Sequence, residues 1–281
     1  MKTWKKIVLG VSLISLFLGG GLVAWGYSQG GLTDLQNKTI SEQDYVKKEV
    51  KDFNKIDIKS SSYNVLIKNG EVDKATLSYY QKTKNPIDTS VKDGQLTIND
   101  NNSELDSTSN KHINFFGLKD LVRLSTLNKE VRNKTIVITL PKKQTIDFLK
   151  VDLATGNLDL SNSTIKQADI NLNVGDLTFT KMIVSNLKAN LDVGSVDSDH
   201  TLFTNSDLSI AMGDYSGDNL IFNGHNKLDI TSGDIELALK DYTLNVQADS
   251  HSGEVDITNN LKISKDNTLT ITSDLGDITV E

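Results

Sequence analysis

After five of seven glycines that recur at near-constant intervals in the second half of the chain stands an acidic residue: Asp176, Asp214, Asp234, Glu254 and Asp277. Carboxylates recurring on a fixed period suggest calcium coils, and two carboxylates on neighbouring turns suggest glycoside cleavage. Calcium coils, however, need a denser glycine pattern with two ligand-bearing turns, and Asn157 and Ser195 interrupt the series here. Asp, Asn and Ser beside glycine suit a turn without any metal. For hydrolysis the best pair is Asp229 and Asp249, outward-facing and one repeat apart. His112, His200, His225 and His251 are scattered without zinc-ligand spacing. Ser232-Gly233-Asp234 has no nearby histidine and lacks the strand-to-helix setting of a nucleophile elbow. The expectation is a non-enzyme with no catalytic residue, cofactor or metal. The alternative is a polysaccharide-acting β-helix enzyme.

Charge points instead to the irregular stretch 100–135. Between Lys111 and Lys143 stand eight basic residues, Lys111, Lys119, Arg123, Lys129, Arg132, Lys134, Lys142 and Lys143, against Asp120 and Glu130. The chain as a whole carries −7, or −10 once Lys2, Lys5 and Lys6 are set aside, which argues against nucleic-acid binding. Phe115, Leu118, Leu121 and Val122 recur at helix-like spacing beside Lys119 and Arg123. Phe115, Phe116, Lys119, Arg123, Lys129, Arg132 and Lys134 are therefore candidates for contact with anionic envelope lipids or wall polymers. The same phenylalanines would equally serve to cap the first coil of a repeat protein, with the lysines solvating that cap.

The elements that must position these groups are set by glycine. Gly156, Gly175, Gly194, Gly213, Gly233, Gly253 and Gly276 are separated by 19, 19, 19, 20, 20 and 23 residues. Two places after each stands Leu158, Leu177, Val196, Tyr215, Ile235, Val255 or Ile278; five places before stands Val151, Ile170, Ala189, Leu208, Leu228, Ala248 or Ile271. The residues adjoining these are polar. Alternation of period two on both sides of a glycine predicts two short strands joined by a tight turn. One such unit cannot bury its apolar face alone, so the units must stack into an all-β solenoid of two-strand coils of about 19–20 residues. Ser250 and Ser273 replace an apolar residue in the last two coils, as expected where a solenoid end meets water. The strand edge at 277–281 would then be open to a second copy.

At the other end, Lys2, Lys5 and Lys6 precede Ile7 to Tyr27, a run without charge. At about 1.5 Å per residue such a run crosses the roughly 30 Å hydrocarbon core of a bilayer. Trp4, Trp25 and Tyr27 stand where interfacial aromatics stand. Residues 1–6 are read as a cytoplasmic tail, 7–27 as a single-pass signal anchor and the bulk as extracytoplasmic. Ala24-Trp25-Gly26 leaves a cleaved signal peptide as the competing reading. The chain has no cysteine, which excludes disulfides and lipoprotein attachment.

Residues 28–52 form a polar linker or stalk in which Ser41-Glu42-Gln43-Asp44, followed by Tyr45, Val46 and Val50, reads as a capped short helix. Strand alternation begins at Phe53, with Asn69-Gly70 and Asp93-Gly94 expected as hairpin turns. Phe53-Asn54-Lys55-Ile56-Asp57-Ile58, Asp93-Gly94-Gln95-Leu96-Thr97-Ile98, the step Ile136-Val137-Ile138-Thr139-Leu140-Pro141 and coils such as Ser232-Gly233-Asp234-Ile235 resemble the bacterial β-strand-repeat family of proposed adhesins. That family includes LiaG-like envelope proteins of Gram-positive bacteria, and the resemblance covers 53–281. It implies a β-solenoid ectodomain, often membrane-tethered and often encoded beside envelope-stress regulators, and it brings no catalytic residues. The expected function is a tethered binding or scaffold module of the cell envelope. An envelope-stress accessory is a variant of it. A six-residue tail is too short to signal alone, so that variant needs a membrane regulatory protein packed on the 7–27 helix, where Gly10 and Gly19-Gly20-Gly21 offer small contacts.

Overall fold

The computed structural model describes residues 43–82, 86–100 and 134–281. The anchor at 7–27 and nearly all of the basic stretch lie outside the described residues. Among the described residues there is no helix, and hence none long and apolar enough to cross a membrane. They form β1 (Gln43–Glu49), β2 (Lys55–Ser60), β3 (Asn64–Gly70), β4 (Thr76–Lys82), β5 (Asp88–Lys92), β6 (Gln95–Asn99), β7 (Thr135–Pro141), β8 (Thr145–Ile146) and β9 (Phe148–Leu153). Next come β10 (Leu158–Ser161), β11 (Thr164–Ile165), β12 (Ala168–Val174), β13 (Leu177–Thr180), β14 (Ile183–Ser185), β15 (Leu187–Val193), β16 (Val196–Asp199), β17 (Leu202–Thr204) and β18 (Asp207–Met212). The last are β19 (Tyr215–Asn223), β20 (His225–Ser232), β21 (Ile235–Leu239), β22 (Asn245–Ser252), β23 (Val255–Ile257), β24 (Thr268–Leu275) and β25 (Ile278–Val280).

Each regular coil has three strands, not the two that the sequence predicts. A long strand on sheet I (β9, β12, β15, β18, β20) turns at a glycine into a four- or five-residue strand on sheet II (β10, β13, β16, β21). A short third strand (β8, β11, β14, β17) makes sheet III, and β19 is long enough to serve sheets II and III in turn. Coils pair in parallel register, Leu158 against Leu177 against Val196 against Tyr215, at the usual spacing of about 4.8 Å. The third side escapes the sequence pattern for a physical reason. Its strands are two or three residues long, too short to display alternation, and at its two corners glycine stands only once, as Gly224. The corner between sheets II and III holds Asn162, Lys181, His200 and Asn219 at φ of 52, 54, 50 and 55°. The corner returning to sheet I holds Asn186, Asn205 and Gly224 at φ of 48, 55 and 66°.

The core is a set of ladders. Val151, Ile170, Ala189, Leu208, Leu228 and Ile271 are all buried, whereas Val255, on the outermost coil, is 41% exposed. On the third side Ile146, Ile165, Val184, Phe203 and Phe222 point inward. Phe179 meets Phe203 edge-on at 5.3 Å, and Phe203 stacks on Phe222 at 5.7 Å. Two small residues interrupt the sheet II ladder, Ser198 and Gly217, and Tyr215 fills the space. Its hydroxyl donates to Ser198 Oγ at 3.0 Å, and a Cβ on Gly217 would lie 3.1 Å from the tyrosine ring and 2.4 Å from Leu220 Cδ1.

Both ends depart from sequence order. β2 and β3 lie between the β6/β7 layer and the β9/β10 coil, so the chain enters inside the stack and builds outward before returning. At the far end β24 lies between β20 and β22, and β25 between β21 and β23. The edge expected at 277–281 is thus interior, and β22 and β23 form the outermost layer.

Two local expectations also change. Residues 43–49 form strand β1 beside β4, not a helix, with Tyr45 and Tyr80 rings 4.9 Å apart. Pairing with a sheet edge overrides a weak capping signal. Asp93-Gly94 does turn the antiparallel β5–β6 hairpin, at φ of 51 and 72°. Asn69-Gly70 instead ends β3 in strand pairing with Leu140 and Pro141, and Asn69 Nδ2 donates to the carbonyls of Lys142 and Gln144.

Candidate interaction surface

The glycine corner sets the geometry of sheet II. Gly156, Gly175, Gly194, Gly213, Gly233 and Gly276 hold φ between 143 and 150°, and a Cβ on Gly194 would lie 2.0 Å from the Gly175 carbonyl oxygen. Only glycine permits that stacking. In five of the seven coils the residue after the glycine then performs a second task. Its side chain accepts the backbone N–H of its counterpart one coil on: Asn157 Oδ1 from Asp176, Asp176 Oδ1 from Ser195, Asp214 Oδ1 from Asp234, Asp234 Oδ1 from Asp277 and Asp277 Oδ1 from Glu254, at 2.8–3.0 Å. Asn64 starts the series by accepting from Asn157 N at 2.9 Å. The acidic repeat is therefore a ladder of side-chain acceptors along the ridge, which is why Asn and Ser substitute for Asp in it. Among the described residues no three His, Cys, Asp or Glu side chains are placed to hold a metal ion.

Beyond this first column, sheet II presents two more outward columns. The second reads Asp159, Thr178, Asp197, Ser216, Glu236, Thr279 and Asp256, and the third Ser161, Thr180, Asp199 and Asp218. Five acidic residues in the first column, four in the second and two in the third make eleven among eighteen positions, and none is Lys or Arg. Asp159 is 5% exposed, and among the described residues its Oδ2 has no hydrogen-bond partner. Burial, then the charges of Asp176 and Asp197, push its carboxyl up to about 7 against the Thr178 hydrogen bond.

Sheet I, wound from the same coils, is built oppositely. Asp57, Lys150, Asp169, Lys188, Asp207 and Lys227 stand in register on successive strands, alternating in sign. The next column is bridged by amides, Asn171 Nδ2 to Asp152 Oδ1 at 2.9 Å and Asn190 Nδ2 to Asn171 Oδ1 at 3.0 Å. Sheet III carries a short apolar column, Ile183, Leu202 and Ile221, of which Ile183 is 48% exposed.

The sequence-predicted residues fall as follows. Phe115, Phe116, Lys119, Arg123, Lys129 and Arg132 lie outside the described residues, and Lys134 is exposed at the entry to β7, its carbonyl accepting from Asn64 N. Asp229 and Asp249 are not neighbours, because Thr272 of the inserted β24 stands between them. Asp229 also accepts from the Thr272 hydroxyl and pairs with the Lys227 ammonium. The carboxylate pair expected of Asp229 and Asp249 is thus not formed. His200 pairs with Asp199 at 2.7 Å, and His225 Nδ1 lies 3.1 Å from Thr268 Oγ1. Sequence reading misses Asp159 and the two further acidic columns. The nineteen-residue period, carried three and five places past each glycine, is the signal that would find them.

No match is found among curated proteins. Among solved structures, the chain is similar to a proposed cell adhesion protein of Clostridium sporogenes, with 16% identity, 85% of this chain and 99% of that one covered, and a TM-score of 0.39. A proposed adhesin of Bacteroides fragilis shares 14% identity over 85% and 97% of the two chains, with a TM-score of 0.39. A proposed lipid-binding protein of Parabacteroides distasonis shares 13% identity over 85% and 97%, with a TM-score of 0.45. The toastrack family model DUF4097 matches residues 53–281, most of the chain and every regular coil described above. The chain is therefore a member of the toastrack DUF4097 family.

Proposed function

We propose that the chain is a non-catalytic binding or scaffold module of the bacterial cell envelope, held outside the membrane by residues 7–27. The observation that carries this reading is the pairing of a rigid stacked-coil body with a 21-residue charge-free run behind three lysines. A solenoid exposes broad, regular faces in proportion to its mass, which suits adhesion to polymers or proteins. The basic stretch, with Phe115, Phe116, Lys119, Arg123, Lys129, Arg132 and Lys134, supports a contact with anionic lipids or wall polymers near the membrane. The resemblance to LiaG-like proteins supports an accessory role in envelope-stress signalling through a membrane partner.

Protease treatment of intact cells lacking their wall tests the reading. Digestion of the body from outside, with the residual 7–27 segment resisting carbonate extraction, is the expected result. Full protection, or release of the intact body into the medium, overturns the tethered module. Purified full-length chain mixed with anionic and with neutral vesicles tests the basic stretch, and equally weak binding to both at low salt removes the lipid contact.

A further inference from the structure

Neighbouring carboxylates on a parallel sheet stand about 4.8 Å apart, and each uncompensated pair repels by roughly 0.9 kcal/mol even at the dielectric of water. Sheet I removes that repulsion by placing a lysine on every second strand. Sheet II does not. Asp199 lies directly beside Asp218, and Asp214, Asp234, Asp277 and Glu254 follow one another along the ridge without a cation among them. The ridge aspartates Asp176, Asp214, Asp234 and Asp277 are occupied as acceptors on one oxygen, whereas Asp197 and Glu236 stand in the second column. At the head of that column, next to Thr178, the Asp159 carboxylate is buried with one oxygen lacking any donor among the described residues, and the charges of Asp176 and Asp197 act on it. Desolvation of an unpartnered carboxylate is costly, and a cationic donor reaching this end of the face relieves it.

Building on the reading of the chain as a binding module, we propose that the outer face of sheet II, from β10 to β23, docks a polycationic partner, a lysine- or arginine-rich extended segment of another protein. The complementarity is one of charge. Asp159, Asp197, Asp199, Asp218, Glu236 and Asp256 are its contact carboxylates, and the ridge column adds field. The face ends where Lys68 of β3 stands against Ser161.

The test uses purified full-length chain in detergent and a fluorescein-labelled decalysine peptide, read by anisotropy at low and physiological salt. Decalysine is expected to bind, and decaglutamate not. The triple variant Asp197→Asn, Asp218→Asn, Glu236→Gln is expected to weaken binding by about tenfold. A control triple with the same loss of charge on other surfaces, Asp192→Asn, Asp249→Asn, Asp274→Asn, is expected to change it by less than about twofold. Thermal melts of both triples establish that they fold. Equal weakening by the two triples reduces the effect to net charge and overturns the proposal. Failure of decalysine to bind, or its displacement by micromolar calcium chloride at constant ionic strength, overturns it too, the latter in favour of a metal ion. None of these outcomes depends on where the chain resides in the cell, so loss of the membrane tether leaves this result unaffected.

Discussion

Two kinds of corner hold each coil closed, and they tolerate side chains very differently. The corner between sheets I and II is glycine in all seven coils of the period, whereas the corner between sheets II and III takes Asn162, Lys181, His200 and Asn219. Both take positive φ, the first at every glycine but Gly253 of the outermost layer. At the first, φ near 145° is a region that side chains rarely enter, and the carbonyl of the previous coil occupies the place of a Cβ. At the second, φ near 52° is the left-handed region that Asn enters readily and Lys or His enters at about 1 kcal/mol. The lesson is that strain alone does not dictate glycine in a stacked fold; strain together with backbone-to-backbone contact does.

The sharpest break of this contrast is Gly194→Ala. The new methyl would sit 2.0 Å from the Gly175 oxygen, so separating the coils is expected to cost more than about 4 kcal/mol. Urea denaturation or loss of soluble protein reads it out, and a cost under about 1 kcal/mol would show that the ridge is not held by that contact. Next comes Asp176→Ala, which orphans the Ser195 N–H and is expected to cost about 1–2 kcal/mol, while Asp176→Asn stays within about 0.5 kcal/mol because Asn157 already does the same work. Equal losses from Ala and Asn would assign the effect to charge. The smallest expected effect lies at the other corner. Lys181→Asn, matching Asn162 and Asn219 in its own column, is expected to stabilise by up to about 1 kcal/mol, seen as a melting temperature a few degrees higher.

How far the sequence reveals this architecture follows from the same two corners. The inward and outward parity about each glycine is legible because strand alternation and the glycine period are both local properties; Val151, Leu158, Ile170 and Leu177 are buried as that parity predicts. Three-sidedness is not legible, because Lys181 and His200 give no hint of positive φ and Thr164-Ile165 is too short to alternate. The spatial order of the last coils is hidden for another reason. Residues 245–257 and 268–280 satisfy the same pattern, and only pairing partners decide which lies outside. The ridge column of the candidate face is visible in sequence, but its hydrogen-bonding task is not, since that task joins residues nineteen or more positions apart. The buried Asp159 is a property of the folded surface alone.

The inserted segment Thr268–Val280 has a consequence for how the molecule comes into being. A ribosome delivers residues 245–257 first, yet their docking site does not exist until residues 268–280 have arrived and been laid down. Most of the rod can wind up as it is synthesised. Its far tip must wait, unzipped, for Thr268–Val280, so a stop before position 268 would forfeit two layers at once.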